Sequence, residues 1–192
     1  MPERNQAALD FLLTRRSRPA KTLTGPGPDR DTLTTILTAA ARTPDHGKLE
    51  PWRFVVLEKP ALMRAHALVA ERGAALGLDP AKIEKEQIAY ERSPLAVVVV
   101  ESPVDSEKVP AIEQTYSAGA VCLALLNAAL ASGWGANWLS GWASFDADFT
   151  HDAFGVNSHE SVAGIIHIGT ETVAPPERPR PDLDAITTWI ES

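Results

Sequence analysis

The chain has 192 residues, of which 44% are hydrophobic and 22% are charged, and its formal net charge is −7 at pH 7. This composition is globular rather than disordered, and the length suits one α/β domain with a sizeable core and little room for a second. The acidic balance argues against a general nucleic-acid binder and against adhesion to an anionic membrane, because both partners require an excess of Lys and Arg.

The N-terminal half of the sequence predicts four helices and one strand. Apolar residues recur at helical spacing from Ala8 to Leu13 and again from Leu33 to Ala41. The first of these two helices is expected to end near residues 17–19. The β-branched and aromatic run WRFVVLE, residues 52–58, predicts a strand. Two polar, amphipathic helices are expected at about residues 60–76 and 80–91.

The C-terminal half predicts three strands, two helices and a terminal arm. The apolar run LAVVVV, residues 95–100, predicts a strand covered on both faces. It is followed by a long helix near 111–132, a strand and turn over 135–141, a short helix over 146–154 and a buried strand over 161–169. Four prolines between residues 175 and 181 predict an extended arm, too stiff for a helix, from about residue 171. We therefore expect one α+β domain over residues 1–192, including this arm.

The long predicted helix lies in a stretch without charge, because no Asp, Glu, Lys or Arg occurs from Gln114 to Phe145. A transmembrane helix needs about 20 predominantly apolar residues, and polar residues stand near both ends of this stretch. We expect instead a helix that is buried on nearly all sides.

Cysteine content and the N-terminus bear on the cell compartment. The single cysteine, Cys122, excludes a disulfide framework within one chain and a Cys-based zinc site. The first ten residues, MPERNQAALD, lack the apolar core of a signal peptide. The expected location is therefore the cytoplasm.

Several motifs of self-contained catalytic sites are missing. HESVA, residues 159–163, has Ala163 where a zinc protease carries its second histidine, and Ser140 lacks the flanking glycines of a nucleophile elbow. No P-loop is present, and the glycines near residues 25 and 133 do not have the context of a dinucleotide fingerprint. An enzyme built on this sequence would draw its reactive group from a cofactor.

The first positive signal is the sequence RRS at Arg15, Arg16 and Ser17. Two guanidinium groups and a hydroxyl suit a phosphate or a ring carbonyl. The alternative is that these cations only complement the dipole at the C-terminus of the first helix.

The second positive signal is the loop RTPDHGKLEPWRF, in which four basic side chains occur within twelve residues: Arg42, His46, Lys48 and Arg53. His46 beside Asp45 could present a held imidazole donor, or it could be a turn residue. Trp52 is expected to be a core residue, since large aromatic side chains anchor strands.

These two signals in this order, together with the uncharged helix, NWLSG, IIHIGT and the proline-rich tail, resemble the FMN-dependent nitroreductase family and its short NAD(P)H nitroreductase subgroup. The resemblance covers nearly the whole chain. It implies an α+β fold, a three-layer α-β-α sandwich with a mixed, mainly antiparallel sheet and a long central helix. It also implies a homodimer with FMN at the interface, which would cover the uncharged helix.

The resemblance also implies site residues. Arg15, Arg16 and Ser17 match the positions that hold the FMN phosphate and ribityl chain, and Arg178 and Arg180 match the basic pair of the tail. The remaining matches are Arg42 and His46 in the flavin-contacting loop, Trp138, Leu139 and Ser140 beside the isoalloxazine ring, and, for NAD(P), Ala128, Ala129, Leu130, Ala131, Ser132 and Gly133.

Two positions depart from the family pattern. Pro19 stands where many members carry a lysine near the flavin pyrimidine, and Arg42 is one candidate for the missing cation. Glu50 replaces an amide or basic residue before Pro51 and Trp52, where it would either repel anionic substrates or face solvent.

The implied activity is electron transfer from NADH or NADPH, through FMN, to a small-molecule acceptor such as a nitroaromatic or a quinone. No side chain is expected to act as the catalytic group, and one shared site predicts ping-pong kinetics. The alternatives are another reaction on the same fold, such as flavin destruction or dehalogenation, a module that binds FMN without turnover, and an unrelated α+β domain whose arginines only cap helices.

Overall fold

The computed structural model describes residues 3–191. The helices are α1 (Gln6–Thr14), α2 (Arg30–Ala40), α3 (Lys59–Ala75), α4 (Pro80–Arg92), α5 (Ala111–Ala131), α6 (Ala147–Phe154) and α7 (Leu183–Ile186). The strands are β1 (Leu23–Thr24), β2 (Trp52–Glu58), β3 (Leu95–Glu101), β4 (Gly135–Leu139) and β5 (Ser161–Glu171), and short 3₁₀ turns cover Ala20–Thr22, His46–Lys48 and Trp142–Phe145. The predicted long helices and strands are confirmed to within a few residues.

The sheet is organised around β5, which pairs with β3, β4 and β1, while β2 pairs with β3. Each of these four pairings is antiparallel. Strand β4 pairs with β5 in a register that places Trp138 opposite Ile166 and Leu139 opposite Ile165. This pairing places the C-terminal end of β4, and the turn after it, over the middle of β5.

Alternating side chains of β3 separate two hydrophobic cores. Val98 and Val100 enter a core with residues of α3, α4 and α6, whereas Val97 and Val99 enter a core with residues of α2 and α5. Full burial of each such side chain stabilises the fold by about 1.5–3 kcal/mol. The predicted doubly covered strand and the three-layer α-β-α sandwich are thereby confirmed.

Helix α5 is long and apolar enough to cross a membrane by length and composition. It packs, however, against α2 and against β3, β4 and β5, and its inward side chains include Val121, Cys122 and Leu125. Burial in the sandwich accounts for the lack of charge on that face. Its outer face leaves Ile112, Tyr116 and Leu123 exposed.

The arm differs from its prediction in one place. Residues 172–182 lack regular structure, but a four-residue helix, α7, follows Pro181. Asp182 caps this helix by accepting a hydrogen bond from the backbone N–H of Asp184 at 3.1 Å. The proline-rich segment itself is not helical, and α7 begins only after its last proline.

Candidate functional site

The segment after α1 is held along β4 by its backbone. Helix α1 ends where the Arg15 N–H donates to the carbonyl of Phe11 at 2.8 Å, and the chain then becomes extended. The Arg18 N–H donates to the carbonyl of Ala136 at 2.7 Å, and Arg18 Nε forms an ion pair with Glu171 at 3.0 Å. These bonds fix the RRS sequence beside the N-terminal half of β4.

Four arginines gather at this point. Arg15 Nη2 donates to Ser17 Oγ at 3.0 Å, and Arg16 Nη2 donates to the carbonyl of Pro176 at 3.0 Å, which brings in the arm. Burial, followed by the charges of Arg180, Arg16 and Arg18, lowers the pKa of the Arg15 guanidinium. The Nε atoms of Arg15 and Arg16 are buried without a hydrogen-bond partner among residues 3–191. The cluster is therefore a group of cations, of which Arg15, Arg16 and Arg18 are half-buried and Arg180 is exposed, with unused donors on Arg15 and Arg16.

The two arginines of the tail have different positions. Arg180 lies near enough to affect Arg15, and it also forms an ion pair with Glu177 at 2.8 Å. Arg178 is exposed, and within the described part of the chain its one hydrogen bond is the backbone N–H donated to Glu177. The structure thus joins Arg180, but not the Arg178 side chain, to the cluster.

The predicted segment Trp138–Ser140 continues along β4 from the cluster. The indole of Trp138 lies directly over Gly164 of β5, so that any Cβ at position 164 would overlap the ring. Leu139 is half-buried and Ser140 is exposed. Together they lead into a cavity that sequence reasoning did not find.

This cavity, of about 430 Å³, lies between α4 and the turn after β4. Trp142 Nε1 and the Tyr90 hydroxyl, which both belong to lining residues, are buried and lack hydrogen-bond partners among residues 3–191. The full lining is Lys82, Lys85, Glu86, Ala89, Tyr90, Leu139, Ser140, Gly141, Trp142, Ile165 and His167. The sequence KIEKEQIAYER predicts only an amphipathic helix, and no local signal shows that its polar face covers the end of β4.

Burial controls the ionisation of the cavity side chains. Burial raises the pKa of Glu86 against the opposing attraction of Lys85, and it raises the pKa of Tyr90. Burial also lowers the pKa of His167 to about 4, so that this imidazole is neutral at pH 7, with Nδ1 lying 3.0 Å from Ser93 Oγ. His167 and Tyr90 therefore give the cavity polar, uncharged groups, and its lysines are Lys82 and Lys85.

Arg42 and His46 lie elsewhere, in the loop between α2 and β2. His46 Nδ1 lies 2.7 Å from a carboxylate oxygen of Glu113 on α5. Arg42 is exposed. Within residues 3–191 no hydrogen bond or ion pair joins either side chain to the arginine cluster or to the cavity. The structure of one chain does not bring the two halves of the predicted site together.

This loop has an unusual backbone. Gly47, Lys48 and Glu50 have φ values of 75°, 55° and 47°, a region that non-glycine residues adopt at an energetic cost. Helix α5 supports the loop, because Ser117 Oγ donates to the carbonyl of Pro44 at 3.1 Å. The side chain of Glu50 is exposed, which fits the expectation that it faces solvent.

Two other predicted features have structural roles. The predicted nucleotide segment 128–133 is the end of α5, where Ala129 is buried in the core and Ser132 Oγ donates to its own helix at Ala128. Its assignment to NAD(P) stays a prediction. Arg53 of the second signal is paired with Glu160 and is part of the framework.

Comparisons with known proteins show the family of this chain. The family model described as "Nitroreductase family" matches residues 12–170. "Putative NAD(P)H nitroreductase YdjA" of Escherichia coli (strain K12) is 37% identical over 163 residues, which span 85% of this chain and 87% of that protein.

Solved structures agree on the fold. The nitroreductase-like family protein from Bacillus cereus has a TM-score of 0.78 at 24% identity, with 100% of both chains covered. A "putative nitroreductase in complex with fmn" from Desulfovibrio desulfuricans has a TM-score of 0.75 at 19% identity, with 98% of each chain covered. The resemblance inferred from the RRS, PDHGKLEPWRF and NWLSG segments is confirmed, and the chain belongs to the nitroreductase family.

Proposed function

We propose a flavin-binding site and a class of electron acceptors for this oxidoreductase of the nitroreductase family. Its cofactors are FMN and NADH or NADPH. The observation that carries the proposal is the cluster of half-buried arginines with unused donors, which lies along the same strand as a cavity of ring-accepting size. The acceptors are nitroaromatics, quinones or similar small molecules. A neighbour of the same fold with bound FMN supports the assignment.

The chain has groups that suit both the phosphate and the ring of FMN. A phosphate would accept hydrogen bonds from the guanidinium groups of Arg15 and Arg16 and from the Ser17 hydroxyl, and its charge would offset the repulsion of Arg15 by Arg16 and Arg180. Trp138 and Leu139 would lie alongside the flavin ring, with Ser140 at the mouth of the cavity. Arg178 contributes general positive charge at most.

Pro19 stands where many family members carry a lysine near the flavin ring, and the role of that cation goes here to residues other than Arg42. Arg42 lies on the loop beside α5, whereas Lys82 and Lys85 line the cavity at the end of β4. We therefore assign to these two lysines the positive potential that favours an electron-rich ring. FMN bound here would supply two-electron transfer between NAD(P)H and the acceptor.

The chain's own residues need only bind, orient and exclude water. The apolar wall formed by Leu139, Trp142 and Ile165 limits water in the cavity, and the lysines lie at its polar side. A single accessible ring face would be shared by the nicotinamide and the acceptor in turn. Ping-pong kinetics follow, with parallel initial-velocity lines.

The proposed assembly is a homodimer with FMN at the interface. The outer face of α5 is apolar and exposed at Ile112, Tyr116 and Leu123, and His46 contacts the same helix through Glu113. In the arm, Trp189 and Ile190 are 83% and 87% exposed, although such side chains are normally covered. A second copy that covers these surfaces would also bring Arg42 and His46 to the partner's flavin. The proposed location is the cytoplasm, with no nucleic-acid or membrane partner.

The proposed function is tested by an absorption spectrum of the purified protein, before and after FMN addition and desalting. We expect flavin bands that survive desalting and that bleach when NADH or NADPH is added without oxygen. Retained flavin that neither nucleotide bleaches would indicate a non-catalytic FMN module or another flavin reaction. A protein that retains no flavin would leave the arginines as helix caps and overturn the proposal.

Replacing Tyr116 with Glu should separate the protomers. A buried carboxylate at an apolar interface is strongly unfavourable, so the dimer should dissociate and FMN retention should fall at the same time. Light scattering coupled to size-exclusion chromatography, with a spectrum of each peak, measures both. Met63→Glu, which changes an exposed apolar residue of α3 on the other helical layer, is the matched control and should remain dimeric. A dimeric Y116E protein would place the interface elsewhere.

A further inference from the structure

We propose that Glu86 couples flavin binding to the uptake of one proton, because the ring enters the cavity when this carboxyl group is neutral. The inference rests on the proposed function, since it takes the cavity between α4 and the turn after β4 as the site of the flavin ring. It adds a specific role for a residue that neither the sequence motifs nor the site geometry described above assigns.

The position of Glu86 is the first argument. Its carboxyl group packs against the backbone of Gly141 and fills the space that a Cβ at position 141 would occupy. Among residues 3–191, Glu86 is the one carboxylic acid that lines the cavity. No hydrogen bond or ion pair to the Glu86 side chain is formed within residues 3–191, even though Lys82 and Lys85 line the same cavity. The carboxyl group is thus poorly compensated and lies at the wall that the ring would contact.

The charges around Glu86 are the second argument. On its own helix, Lys85 favours the ionised form, while Tyr90 is neutral. From β5, His167 presents an uncharged imidazole. From α3, His66 faces Gln87 rather than Glu86, because Gln87 Nε2 lies 3.4 Å from His66 Nδ1 and donates to the His66 carbonyl at 3.0 Å. Among these groups, Lys85 alone opposes the effect of burial on Glu86.

Burial already prevails over Lys85 in the free protein, since the pKa of Glu86 is raised. A flat ring that enters the cavity displaces water from the carboxyl group and brings no cation to replace it. The neutral form therefore gains relative to the ionised form when the ring binds. Above the free pKa of Glu86, binding must then take up a proton, and the affinity for the ring must fall as the pH rises.

The test uses riboflavin, which has the ring but no phosphate, so that titration of the phosphate does not contribute. The flavin-free protein is titrated with riboflavin between about pH 5 and about pH 9, and quenching of flavin fluorescence gives the Kd. For the unaltered protein we expect the Kd to rise with pH, with a limiting slope of tenfold per pH unit for one linked proton. For Glu86→Gln, which is always neutral, we expect no such rise.

The matched control is Glu84→Gln, an identical change at an exposed position of α4, which should keep the pH dependence of the unaltered protein. Calorimetry in two buffers of different ionisation enthalpy should show proton uptake with the unaltered protein and none with E86Q. FMN, measured in parallel, adds the phosphate titration with a pKa of about 6 equally to all variants.

Equal pH dependence in the unaltered protein and in E86Q would overturn the role of Glu86 while leaving the flavin site intact. Failure of every variant to bind riboflavin and FMN at any pH would overturn the proposed function, and the role of Glu86 with it. A loss of the pH dependence confined to E86Q, together with loss of proton uptake, is the result that supports the inference.

Discussion

Replacing both Arg15 and Ser17 with Ala is expected to weaken FMN binding by about 10²- to 10⁴-fold. Each hydrogen bond to a charged group contributes about 1.5–3 kcal/mol, and the double change removes two of the partners assigned to the phosphate. The Kd of FMN, measured by fluorescence quenching with the flavin-free protein, gives this effect directly. Arg4→Ala, an exposed arginine before α1, is the matched control and should leave the Kd unchanged.

The same variant distinguishes the phosphate site from a simple helix cap. In the free protein Arg15 is repelled by Arg16, Arg18 and Arg180, so its removal should leave the free energy of unfolding unchanged or slightly higher. If the arginines served only the dipole of α1, the change would lower stability and leave FMN binding intact. Chemical denaturation without flavin separates these two outcomes.

Replacing Arg53 with Met should destabilise the protein by about 3–5 kcal/mol, the cost of leaving a buried ion without its partner. Glu160 is only 3% exposed and accepts hydrogen bonds from Arg53 Nε and Nη2, both at 2.7 Å. Arg53 Nη2 also donates to the carbonyl of Gly155 at 2.8 Å, which ties β2 to the loop before β5. Urea denaturation measures the loss.

Substitution of Glu160 should destabilise the protein less than substitution of Arg53. Glu160→Gln should cost less, about 1–2 kcal/mol, because the amide keeps the shape and Arg53 is 36% exposed to water. The matched control is Glu177→Gln, which removes the partner of Arg180 in an exposed pair and should leave the free energy of unfolding nearly unchanged. Equal, small losses for R53M and E177Q would show that the Arg53–Glu160 pair is effectively solvated.

The same pair predicts a dependence of stability on pH. The Arg53 hydrogen bonds lower the pKa of Glu160 in the folded protein below its unfolded value of about 4.3. Its contribution is therefore fully present above the unfolded pKa and is lost as the pH falls toward the lower, folded pKa. The unfolding free energy of E160Q should lack this part of the acid-induced decrease.

The sequence predicts the elements well because their signals are local. The run LAVVVV is apolar at every position, which is typical of a strand covered on both faces, and β3 does supply both cores. The uncharged stretch from Gln114 onward predicts a buried helix, and α5 is one. The RRS sequence indicates a group of cations, and the unused donors of Arg15 and Arg16 agree with it.

The predictions were weaker where distant segments meet. The polar face of α4 carries Lys82, Lys85 and Glu86, which have the pattern of a solvated helix, and only packing against the turn after β4 makes them a cavity wall. Arg53 belongs by sequence to a basic loop, yet its partner Glu160 lies 107 residues further along the chain. No periodicity or motif records such a pairing.

The sequence by itself determined the order and type of the main elements, the candidate anion-binding arginines and the family. Each of these depends on residues close together in the chain or on ordered motifs. The tertiary structure alone decided that Arg180 joins Arg15, that Arg42 and His46 lie apart from them in one chain, and that α4 covers the end of β4. The reason is physical: burial, pKa shifts and unused donors arise from neighbours that only the packing of sheet and helices brings together.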